Sequence, residues 1–115
     1  MDGRIQEPTI KFLKEKYNTQ FVDTITEPGP CKILAERTNK TLLQTLKTRI
    51  DISVHKHGSK LIAISGHHDC AGNPVSEEIQ KEEVLSAILY LKKDYPEVEF
   101  IGLWIGEDWV VKQLT

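Results

Sequence analysis

The chain has 115 residues, 39% of them hydrophobic and 28% charged, with a net charge of −2. That length is one domain able to bury roughly two-thirds of its unfolded surface, and the charge gives no electrostatic footprint for nucleic acid or a membrane surface. No apolar run approaches membrane-spanning length, and no apolar segment of signal-peptide type opens the chain.

In chain order, Glu7-Pro8 predicts the start of a helix carrying Ile10, Leu13 and Tyr17 at helical spacing and ending at Asn18. Gln20 to Thr26 is β-rich and alternates, which predicts a strand. Glu27-Pro28-Gly29-Pro30 must be a loop, and Cys31 to Glu36 a short helical turn. Thr38 or Asn39 caps a second long helix with the stripe Leu43, Leu46, Ile50 and Val54, and Gly58 ends it. Lys60 to Ile64 is an apolar run between turn signals and predicts a buried strand. Ser76 caps a third helix with Glu77 and Glu78 in its first turn and Val84, Ile88 and Leu91 as its stripe, thickened by Leu85 and Leu89. Pro96 forbids its continuation. Val98 to Ile105 predicts a strand, and Trp109 to Leu114 a final antiparallel one. Strands alternating with helices imply right-handed crossovers, a mainly parallel sheet and helices on both its faces.

The chemistry concentrates after Ile64, in Ser65-Gly66-His67-His68-Asp69-Cys70-Ala71-Gly72. Ligands of open α/β sheets bind outside the carboxyl ends of the strands. His67 and Cys70 are three apart, a spacing at which an imidazole nitrogen and a thiolate can share one zinc ion. The bland alternative is a polar loop packed on a sheet edge. With only two cysteines, one inside this pattern, a reducing compartment such as the cytoplasm is expected. His55 and His57 fall at a helix end, where imidazolium suits the dipole. Trp104 and Trp109 read as core or interface residues.

Gly66-His67-His68-Asp69-Cys70 resembles the second zinc motif of the β-class carbonic anhydrases, a strand followed by G-H-x-x-C. Met1-Asp2-Gly3-Arg4 is similar to the last four positions of that family's first motif, C-x-D-x-R, whose cysteine would fall just before Met1. Ala71-Gly72 departs from the family's common Cys-Gly pair. The resemblance is closest to small, single-domain members and implies one three-layer α/β domain over residues 1–115. It implies zinc held by His67 and Cys70, with Asp2 orienting the zinc-bound hydroxide or filling the open position and Arg4 pairing with Asp2. It also implies carbon dioxide or bicarbonate as the small-molecule substrate, and a homodimer or larger homo-oligomer.

Two matched ligands stand where the family has three. Either Met1 is an internal methionine and the natural chain includes a first strand ending in cysteine, which is the expectation adopted, or zinc binding is weak, altered or lost. Cys31 is a candidate third ligand or a small buried residue at a helix start. His68 is an outer-shell or solvent-facing residue. Asp69 is a partner for Arg4 or a histidine, or else a loop-capping residue. For Asp2 and Arg4 the alternative is a frayed, solvated terminus. A non-catalytic metal-binding or interaction module of the same fold is the competing function.

Overall fold

Asp2 starts the first helix with its own side chain. In the computed structural model, which describes residues 1–115, α1 spans Gly3–Tyr17 and the Asp2 carboxylate accepts the Arg4 backbone N–H at 2.9 Å. The helix therefore begins well ahead of the expected Glu7-Pro8 start, and Pro8 lies inside it. The intrahelical bond that Pro8 cannot make is offset by the Asp2 cap and by the burial of Ile5 and Leu13. Asn18 closes α1 in the left-handed region, at φ 49°.

Gln20 to Thr26 is not a strand. It has no regular secondary structure, and no backbone–backbone hydrogen bond involves residues 20–26. Propensity makes a segment fit to pair, and pairing needs an edge within reach; here a cavity separates the segment from the nearest one. Side chains hold it instead. The Asp23 carboxylate accepts from Ser53 Oγ and meets His57 Nδ1, both at 2.7 Å. The Ser53 hydrogen bond foremost, and His57 next, hold the Asp23 carboxyl below its ordinary pKa. A carboxylate lowered in the folded state stabilises above its ordinary pKa, and that contribution disappears as pH falls through the folded value. Acidification is therefore expected to release residues 20–26, and Asp23→Asn to release them at every pH. Backbone order parameters check this; unchanged values in Asp23→Asn at neutral pH would show that the tether does not hold the segment.

Pro30 at the first turn opens α2 (Pro30–Glu36), which buries Cys31 and Leu34. Asn39 caps α3 (Lys40–Asp51) by accepting the Leu42 N–H, and a π-helical turn follows over Ile52–Lys56. Gly58 supplies the left-handed exit at φ 75°. Ser76 caps α4 (Glu77–Lys92) by accepting the Ile79 N–H. Val84, Ala87, Ile88 and Leu91 form the buried face of α4, but Leu85 and Leu89 are 45% and 67% exposed. Each lies one position beyond an inward residue, about 100° round the helix, so neither thickens the stripe.

The sheet comprises β1 (Leu61–His67), β2 (Glu99–Ile105) and β3 (Val111–Gln113), in the order β1-β2-β3. β1 and β2 are parallel, with Ile64 opposite Gly102 and His67 opposite Ile105, whereas β3 runs antiparallel to β2. The expected mainly parallel sheet is thus a small mixed one, and β1 has no strand on its outer edge. Alternating side chains feed two apolar clusters. Ile64 and Phe100 join Leu34, Leu46, Val84 and Leu91 from α2, α3 and α4. Ile101 and Leu103 join Leu13 of α1, with Ala63 packed alongside.

Candidate functional site

β1 runs three residues past its expected end at Ile64, so His67 is the last residue of a strand rather than part of a loop. Gln80 of α4 explains the extension. Its side-chain carbonyl accepts the His67 N–H at 3.1 Å, and its amide donates to the His67 C=O at 2.9 Å. Gly66 makes room for it: a Cβ there would lie 3.0 Å from Gln80 Oε1. His67 itself is buried, and its Nδ1 lies 2.8 Å from the His68 carbonyl oxygen. A carbonyl can only accept, so Nδ1 carries the proton and Nε2 presents a lone pair. That tautomer suits a metal ligand.

His68 leaves the strand, donating its N–H to the Ile105 C=O at 2.8 Å, and its exposed ring stands edge-on to Trp109 at 6.1 Å. Asp69 is exposed and left-handed, at φ 56°, which Asp tolerates better than most residues. The chain then turns inward, burying Cys70 and Asn73. The Asn73 amide donates to Glu83 Oε1 at 3.2 Å and points toward Cys31 Sγ at 3.7 Å. Both cysteines are free and buried. Burial foremost, then the Glu83 charge, push the Cys31 thiol up to about 11, so it is neutral at pH 7.

The N-terminus closes the site. Arg4 Nε contacts both Asp2 carboxylate oxygens at 3.1 and 3.2 Å, and Nη2 reaches Oδ2 at 2.6 Å. Arg4 also donates to the Asp69 carboxylate and backbone carbonyl, each at 3.2 Å, and its guanidinium lies 4.5 Å from the Trp109 ring centre. The Arg4 hydrogen bonds, chiefly from its side chain, hold the Asp2 carboxyl well below the usual range, with a smaller contribution from His67. Asp2 in turn raises Arg4.

The structure therefore brings Asp2, Arg4, His67, Asp69 and Cys70 to one strand end, with His68 at its rim. Cys31 meets the same loop at Asn73. No group of three His, Cys, Asp or Glu side chains converges as a metal site. A catalytic zinc site takes three protein ligands and one exchangeable position. His67 Nε2 and Cys70 offer two; Asp2 is engaged by Arg4, and the Cys31 thiol is buried against the Asn73 amide. The donors in this chain do not complete a zinc site.

Gln80, Asn73, Glu83 and Trp109 shape the site without having been singled out for it. Gln80 left a trace in the sequence, a polar residue four before Val84 on the apolar face of α4. Asn73 read only as part of a turn, and the Arg4–Trp109 contact joins residues far apart in the chain.

No helix is long and apolar enough to cross a membrane. No curated protein and no solved structure matches the chain. A family model described as "Putative carbonic anhydrase" matches residues 1–115.

Proposed function

We propose a function from one premise: the chain belongs to the family described as "Putative carbonic anhydrase". On this reading the domain is a three-layer unit whose ancestral chemistry is the hydration of carbon dioxide to bicarbonate. Residues 1–115 alone carry half of a zinc site and turn over weakly or not at all. Zinc, when bound, makes hydroxide available near neutral pH. His67 and Cys70 are the ligands this chain offers it. Asp2, kept ionised by Arg4, is a fixed hydrogen-bond acceptor beside His67, and Arg4 stays charged and forked between two carboxylates. A reducing compartment such as the cytoplasm, and a homodimer or larger homo-oligomer, belong to the same proposal.

The observation that carries this reading is the Arg4 grip on Asp2 and Asp69 at the strand end that bears His67. A second reading, a non-catalytic module of the same fold, is favoured by the absence of a third converging donor. Metal analysis of the purified chain after incubation with zinc tests the ligands. Weak binding is expected, lost in Cys70→Ser. Zinc content unchanged by that substitution would reject the assignment.

A further inference from the structure

We infer that the outward face of α4 is a contact surface for a second copy of this chain, the two α4 helices lying antiparallel about a twofold axis. α4 is apolar on more than its inward side. Val84, Ala87, Ile88 and Leu91 are buried against the core, while Leu85 and Leu89, one turn apart, are exposed. A helix that is apolar on two sides is suited to being covered on both.

The exposed leucines belong to a longer stripe. Glu82, Leu85, Leu89 and Lys92 follow one another at spacings of three, four and three, and all four are exposed. That spacing keeps them within about a quarter of the helix circumference and is the spacing of a helix–helix seam. Along the helix the stripe reads acid, leucine, leucine, base, and this order fits a second copy of itself. With a twofold axis between Leu85 and Leu89, each Leu85 meets the partner's Leu89, and each Glu82 meets the partner's Lys92. A parallel pairing would instead set acid against acid and base against base. Neither charge is engaged at home: Glu82 and Lys92 take part in none of the chain's ion pairs, whereas neighbouring Lys81 is held by Glu77. The contact is two leucine layers closed at each end by a charge pair, which fits a weak, reversible dimer smaller than a standard interface. Gln80, which clamps His67, is buried on another side of the same helix, so this contact does not rest on the zinc reading and needs neither metal nor turnover to be measured.

Sedimentation equilibrium of the full chain is expected to show reversible association that weakens at high salt. Leu89→Glu is expected to lower the association constant at least about tenfold. Glu82→Lys alone and Lys92→Glu alone should each lower it about tenfold, because the twofold axis turns both end pairs repulsive at once. The double variant carries opposite charges in exchanged places and should recover the native association. The three positions are exposed, so circular dichroism is expected to stay native in every variant. A chain that remains monomeric at about millimolar concentration would overturn the proposal. So would an assembly indifferent to Leu89→Glu, which would put the homo-oligomer of the functional reading on another surface. Failure of the double variant to recover what each single variant loses would overturn the antiparallel pairing.

Discussion

Placing a strand that ends in cysteine directly before Met1 is expected to raise zinc affinity at least about a hundredfold over residues 1–115, since losing even an outer-shell partner of a metal costs 10–100-fold. Carbon dioxide hydration, measured by stopped flow, is expected to appear with it. The argument is a count of donors joined to a position. Met1 lines the cavity that Ser65 and His67 also line, and its ammonium lies 3.3 Å from the Glu27 carbonyl. A residue before Met1 would stand at the His67 end of that cavity, where the third donor is wanting. The same strand ending in serine is the control, since it brings no thiolate. If the cysteine form binds no more zinc than the serine form, the zinc reading falls. Robust turnover by residues 1–115 alone would show the donor count to be wrong.

Gly72→Val is expected to cost about 3 kcal/mol or more, as overpacking against atoms that cannot move aside does. A Cβ at Gly72 would lie 2.5 Å from the Pro28 carbonyl carbon, 2.7 Å from Pro28 Cβ and 2.8 Å from the Gly29 nitrogen. Most of these are backbone atoms, and Gly29 is itself fixed in the left-handed region at φ 62° against the Gly72 carbonyl. Relief requires separating the 27–30 loop from the loop that carries Cys70. Thermal unfolding reads the effect as a fall of about 10 °C or more for a domain of this size. A melting point within a few degrees of the native one would mean that the two loops part easily.

The sequence announced its helices through local chemistry. Asn39, Ser76 and Gly58 each act within a turn of their own position, so cap and exit could be read directly. Where the reading failed, the deciding partner lay elsewhere in the chain. Residues 20–26 have strand propensity, but a cavity keeps them from the β1 edge. β1 outran Ile64 because a side chain on α4 clamps its end. Pro8 suggested a start that Asp2 had already supplied. At the site, G-H-x-x-C and D-x-R picked out the residues that gather at the strand end. The Cys31 thiol is pushed up by its burial and then by the Glu83 charge, and no motif encodes either.

Arg4 touches three stretches that are remote along the chain: its own helix cap, Asp69 sixty-five residues on, and Trp109 beyond β2. Joining them closes long loops, whose entropic cost is met only after the sheet and its helices exist to hold the ends. In order of assembly, then, the Arg4 contacts to Asp69 and Trp109 are expected to come late, after the locally encoded helices. In order of failure, detaching α1 disarms the strand end while the α4–β2 core stands. A fragment bearing only Gly66 to Gly72 would therefore have the motif without the geometry that gives it meaning.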